Sequence, residues 1–129
     1  MKHLLLDTNI VIYSLNGDSP ILRLLESFKD TQFHISMVSW VETLAGSFRH
    51  GKEIDEILWE LECFHKLPFD DSVGRTSAII IQERLRRGKK APFQDSLIAA
   101  TGLVHHIPLL TNNPKDFRGI KGLKVIAVK

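Results

Sequence analysis

The chain predicts a three-layer α/β domain, a central parallel sheet of four to five strands with helices on both faces. Three observations carry this. Short apolar runs of strand length alternate with longer stretches of helical periodicity, which places consecutive strands parallel with helices between them. The 129 residues suffice for one domain with a real core, residues 1–129 as a single unit. An acidic residue stands where an apolar run gives way to a helix, or in the first turns of a helix, at four places along the chain.

Residues 3–6 read as a short buried strand ended by Asp7, and Ile10–Leu15 as a short helix stopped by Asn16-Gly17. Ser19-Pro20 starts the next helix, with proline at a favourable first-turn position and Ile21, Leu24, Leu25 and Phe28 as its apolar face. Gln32–Met37 is a second strand, feeding a helix from about Val38 to Arg49 that stops before Gly51. Residues 52–64 form an amphipathic helix on Ile54, Ile57, Leu58, Leu61 and Phe64. His65–Phe69 is a third strand, and Ser72–Arg87 a long helix with Ala78, Ile79, Ile81 and Leu85 turned inward. Pro92 opens a helix carrying Leu97, Ile98, Ala100, Thr101 and Val104. Ile107–Leu110 is a fourth strand, Pro114–Phe117 a helical turn and Lys124–Val128 an edge strand.

Composition excludes several classes. Hydrophobic residues at 43% and charged residues at 25% are ordinary for a globular protein, which argues against disorder or a fibre. No apolar stretch approaches the roughly 20 residues of a membrane span. The apolar run after the N-terminal Lys2-His3 falls short of the roughly 7–15 residues of a secretory signal, so a cytoplasmic location is expected. The single cysteine, Cys63, permits no internal disulfide and is expected as a small buried hydrophobe. His105 and His106, being adjacent, splay apart on a helix and are expected at its surface rather than as joint ligands.

Net charge is only +2, but five basic residues fall within positions 84–90: Arg84, Arg86, Arg87, Lys89 and Lys90. A second basic group is Lys115, Arg118, Lys121 and Lys124. Basic patches beside an acidic centre suit a polyanionic substrate. The first patch equally complements the C-terminal end of a helix closed by Gly88, and both roles can hold at once.

The acids are Asp7, Glu42, Asp95 and Asp116. Each has an ordinary explanation: Asp7 as a helix cap, Ser39-Trp40-Val41-Glu42 as a capping box, and Asp95 as a first-turn acid after Pro92. Asn113-Pro114-Lys115-Asp116 resembles a cap, a first-turn proline and an acid. Their joint placement argues otherwise, because ligands of parallel sheets bind beyond the carboxyl ends of the strands. Two carboxylates about 4 Å apart repel by about 4 kcal/mol at an effective dielectric of 20, so convergence calls for a counter-ion. Mg²⁺ or Mn²⁺, which favour hard oxygen ligands, fit that need.

With these residues in place, the chain resembles the PIN-domain ribonucleases, and among them the VapC-type toxins of prokaryotic toxin–antitoxin pairs. The resemblance rests on Leu4–Ile10, Ser39-x-x-Glu42-x-x-x-Gly46, Asp95-x-x-Ile98-Ala99-Ala100 and Thr111-x-Asn113-x-x-Asp116-Phe117, in order over nearly the whole chain. It implies divalent-metal-dependent hydrolysis of RNA phosphodiester bonds by Asp7, Glu42, Asp95 and Asp116, all four as metal ligands. Thr8, Asn9, Thr111 and Asn113 are implied as supporting positions. In some family members an acid stands where Asn113 does, leaving the fourth contact to Asn113, to Asp116 or to water. Homodimerisation and a small antitoxin, lying over a groove formed by Ile21–Leu25 and residues 52–64, are implied as well. Arg86, Arg87 and Lys90 are candidates for the flanking phosphates of the RNA. Two other readings stand beside this one: an aspartate-nucleophile phosphohydrolase using Asp7, and a non-catalytic module that only binds RNA or protein.

Overall fold

The computed structural model describes residues 1–47 and 51–128. Five strands, β1 (Lys2–Leu6), β2 (Thr31–Ser36), β3 (His65–Leu67), β4 (Leu109–Thr111) and β5 (Val125–Ala127), form one sheet in the order β3-β2-β1-β4-β5. Every pairing is parallel. The helices are α1 (Thr8–Leu15), α2 (Ser19–Ser27), α3 (Met37–Ala45), α4 (Ile54–Leu61), α5 (Asp71–Arg86) and α6 (Phe93–His105), with a 3₁₀ turn at Pro114–Phe117. No helix among the described residues is long and apolar enough to cross a membrane.

The two-residue period of β1 divides the core. Leu4 and Leu6 face Ile10, Val11, Ile21, Leu25, Ile57 and Leu61 of α1, α2 and α4. Leu5 points the other way, to Val73 and Ile80 of α5 and Ile98, Ala99 and Ala100 of α6. The most buried helix is α6, whose residues Ser96 to Gly102 are all buried. A Cβ on Gly102 would stand 3.1 Å from the Ile107 carbonyl oxygen and 3.2 Å from Leu123 Cδ1, so glycine lets α6 lie against the loop behind it.

Several boundaries differ from expectation for local reasons. Ile107 does not join β4: His106 takes a left-handed φ of 55° and Ile107 N donates to Gly102 O at 2.9 Å, a C-terminal closure of α6 that uses up the first expected strand residue. The helix expected to reach Arg49 ends at Ala45, and positions 48–50 lie outside the described residues. Strand β3 stops at Leu67, leaving Phe69 exposed. Helix α4 is shorter than residues 52–64; Ile57 and Leu61 are buried, whereas Ile54 is exposed. Cys63 is exposed, not buried, and its Sγ leans on the Glu60 carbonyl.

The inward face of α5 also differs. Val73, Ser77 and Ile80 are the buried residues, whereas Ala78, Ile79 and Leu85 are exposed and Ile81 is half-buried. Ser77 can occupy the core because its hydroxyl donates to Val73 O at 2.7 Å. That bond removes the cost of an unpaired buried hydroxyl.

A polar seam runs across three adjacent strands. His3 Nδ1 lies 2.9 Å from His34 Nε2, and His34 Nδ1 lies 2.9 Å from His65 Nδ1. His34 is buried, and burial first, then the charges of His65, His3 and His105, push its imidazole down to about 4. A neutral imidazole has one N–H, so His34 donates at one nitrogen and accepts at the other, giving the seam a direction.

Candidate functional site

Sheet order defines the site. From β1 the chain adds β2 and β3 on one side and β4 and β5 on the other, so β1 and β4 flank the point where the strand order reverses. Ligands of open α/β sheets bind in the crevice beyond the strand ends at such a point. Asp7 stands there, immediately after β1, with its backbone N–H donating to Leu110 O of β4 at 3.0 Å.

Asp7 is a cap and more than a cap. Its Oδ1 accepts from Thr8 N at 2.8 Å at the start of α1, and its Oδ2 accepts from Thr111 Oγ1 at 2.7 Å. Thr111 Oγ1 in turn accepts from Asn113 N at 3.0 Å, which ties the following turn to the same carboxylate. Burial raises the Asp7 carboxyl above its ordinary value despite the Thr111 and Thr8 hydrogen bonds that pull it down, and Asp116 adds to the rise.

Glu42 is not part of a capping box. The cap of α3 is Ser36, whose Oγ accepts from Ser39 N at 3.1 Å, and Ser39 is buried within the helix. The Glu42 carboxylate instead accepts from Thr8 Oγ1 at 2.8 Å. That hydroxyl has one proton and gives it to Glu42, so Ser39 Oγ, 2.9 Å away, is the donor to Thr8. Ser36 Oγ donates to Ser39 Oγ at 3.2 Å. The result is a directed chain of hydroxyls from Ser36 through Ser39 and Thr8 to the Glu42 carboxylate. It explains why Thr8 is buried beside Asp7.

Asp95 lies in the first turn of α6, which has no side-chain cap. Among the described residues its carboxylate makes no hydrogen bond, and it is the most perturbed acid. Burial, then the fields of Asp7 and Asp116, push it up to about 6; Arg84 opposes and Glu42 adds. All four acids therefore act on one region. Asp116 is half-buried in the 3₁₀ turn, and its backbone carbonyl accepts from Arg84 Nη1 at 3.1 Å. Asn113 precedes that turn without capping it, and its Nδ2 lies 3.4 Å from Asn112 Oδ1. Asn9 is exposed on α1. Among the described residues, no three His, Cys, Asp or Glu side chains are drawn together closely enough to hold an ion by themselves.

The basic residues sort themselves. Arg86 and Lys90 are exposed, and Arg87 lines a cleft beside the 3₁₀ turn. The residue that reaches the acids is Arg84, whose Nε is buried without a partner among the described residues. Arg84 follows Val73, Ser77 and Ile80 on the inner stripe of α5, a stripe that the hydrophobic pattern of the sequence did not reveal. Ser36 also lacked a motif, its signal being only a hydroxyl at the end of an apolar strand. His106 is exposed as expected, whereas His105 is half-buried, its Nε2 buried and unpaired among the described residues.

Comparison with known proteins identifies the family. The family model of the PIN domain matches residues 4–123. Ribonuclease VapC1 of Rickettsia felis is 35% identical over 103 residues, 75% of this chain and 77% of that protein. A toxin–antitoxin complex from Klebsiella pneumoniae superposes with a TM-score of 0.79 at 29% identity, over 96% of each chain. VapBC2 of Rickettsia felis, in a structure bound to a DNA fragment from its promoter, gives a TM-score of 0.86 over 98% of this chain and 99% of that one. At 23% identity it speaks for the fold alone. The chain belongs to the PIN-domain family, among its VapC-type members.

Proposed function

We propose that this chain is a divalent-metal-dependent endoribonuclease, the toxin of a type II toxin–antitoxin pair acting in the cytoplasm. The observation that carries the reading is the concentration of four carboxylates at the strand-order reversal, with Asp95 pushed up to about 6 by burial and its acidic neighbours. Arg84 offsets only part of the mutual repulsion at Asp95, and the donors of the set are all hard oxygens. Mg²⁺ uses one or two carboxylates directly and keeps several waters, so acids spread around a crevice suit it better than a closed cage would. Asp7, Glu42, Asp95 and Asp116 would hold the ion, which supplies Lewis-acid stabilisation and a water of lowered pKa.

The remaining work falls to the chain itself. Thr8 N–H and Thr111 fix both Asp7 oxygens, and the hydroxyl chain through Thr8 aims Glu42. Arg84 anchors the turn that bears Asp116. Neither hydrogen bond to Asp7 comes from a lysine, the residue an aspartate-nucleophile phosphohydrolase brings, so nothing in the site favours that alternative. An antitoxin would lie across α2 and α4, where Leu22, Ile54 and Trp59 are exposed, Trp59 by 76%. Ile21, Leu25, Ile57 and Leu61 are core and do not offer that surface. A homodimer completes the proposal.

The test is cleavage of labelled RNA by purified protein with Mg²⁺ or Mn²⁺. Asp7→Asn and Asp95→Asn should each cut activity by about 10³-fold, the order lost when a group acting on transition-state charge is removed. Full activity in excess chelator, or in either folded variant, contradicts the proposal.

A further inference from the structure

A cleft of about 220 Å³ lies between the C-terminal half of α5 and the segment after the 3₁₀ turn. Five cations line it, Arg84, Arg87, Lys89, Arg118 and Lys121, against the single acid Glu83. Among the described residues none of the five is in an ion pair. Lys89 and Gly119 face each other in the lining, a Cβ on Gly119 standing 3.8 Å from Lys89 Nζ. Ile79, Ile80, Leu103 and Ile120 make its apolar wall. Ile79 is an isoleucine left 55% exposed, which a solvent-facing helix position does not call for.

The two chemistries together select the occupant. Cations alone would suit any anion, and an apolar hollow alone any greasy group. A flat apolar body joined to a phosphate satisfies both, and that is a nucleotide. The volume is below the roughly 300–1,000 Å³ of pockets for whole drug-sized ligands, so it suits one base-sized group. Arg84 places the hollow relative to the chemistry: it lines the cleft and also donates to the Asp116 carbonyl at 3.1 Å, so the cleft opens beside the acids. We infer that this cleft seats a nucleotide flanking the scissile phosphate of the RNA, its base against the isoleucines and its phosphate on Arg87, Lys89 and Arg118. The inference rests on the nuclease reading for the substrate, but the binding it asserts is separate from cutting.

The experiment uses the full chain and a short fluorescein-labelled single-stranded RNA, with binding measured in chelator across a salt series and cleavage measured with Mg²⁺. Arg87→Ala with Arg118→Ala should weaken binding roughly 10-fold and reduce the salt slope by about 0.7 for each phosphate no longer held. The loss should appear mainly as a raised KM, with kcat at saturating RNA falling less than KM rises. Ile79→Ser, at an exposed position, should weaken binding without changing the salt slope. Wild-type cutting with unaltered binding and KM in all three substitutions overturns the cleft proposal alone. Weakened binding with no cutting by wild type under any divalent ion supports the cleft and overturns the nuclease reading. Unaltered RNA binding with a changed sedimentation coefficient would make this face an interface between copies of the chain, and would also overturn it.

Discussion

Replacing Asp95 with asparagine should make the metal-free protein more stable while destroying its proposed activity. The folded-state carboxyl is raised from 3.8 to about 6, so between those values the folded state binds more protons than the unfolded one. Stability is therefore lost as pH rises through that window, and the full penalty stands above pH 6. That difference converts to about 3 kcal/mol. Solvent reaching a half-buried group screens this to about 1–2 kcal/mol. Against it stands the favourable interaction of a first-turn acid with the α6 dipole, about 0.3–1 kcal/mol. The net gain for Asp95→Asn is then about 1 kcal/mol, or roughly 3–5 °C in Tm for a chain of this size. No hydrogen bond among the described residues is sacrificed. Thermal melts in chelator at pH 7.5 should show the gain, and melts below about pH 4, where wild type is already protonated, should not. Addition of Mg²⁺ should raise the wild-type Tm more than that of the variant. A variant that is no more stable at pH 7.5, or equally more stable at both pH values, would refute the reasoning.

Other outcomes follow from the same geometry. His34 is lowered from 6.5 to about 4, so the unfolded state binds more protons in that window and stability falls as pH drops through it, by up to ~3 kcal/mol; His34→Gln should remove that fall from a urea-unfolding profile. Since Asp95 has the opposite slope over nearly the same range, the wild-type profile should be flatter than that of either variant. Thr8→Val should release Glu42 and lower kcat, with Thr8→Ser restoring it; equal activity in both would show the hydroxyl chain is idle. Gly102→Ala should cost about 1–3 kcal/mol by denaturant titration, because its Cβ meets a carbonyl that cannot move without opening the α6 closure.

What the sequence disclosed was local. Leu4-Leu5-Leu6 before Asp7, and Leu109-Leu110 before Asp116, present strand and acid within a few residues, so alternation alone placed them at one edge of the sheet. The inner face of α5 was hidden because it passes through Ser77 and Arg84, while the more hydrophobic Ile79 and Leu85 face outward. A serine satisfied by its own helix and an arginine reaching a carbonyl across 32 residues leave no periodic signal. Glu42 shows a different limit. The S-x-x-E pattern fits a capping box, and only the position of Ser36 one turn earlier shows that Ser39 lies within the helix, free to pass a hydrogen bond to Thr8.

The bond between Thr111 and Asp7 joins residues separated by 104 positions. On the ribosome, β1 emerges early yet sits at the centre of the sheet, and its neighbour β4 is among the last strands made. A chain halted anywhere before Thr111 has Asp7 without its anchor and without Asp116, and long-range parallel pairing is slow to form even when both strands are present. Synthesis and folding thus impose a delay between the first residue of the proposed catalytic set and its completion. If the chain is the proposed nuclease, RNA surrounds it as it is translated, and an unfinished copy would lack part of the set proposed to cut it.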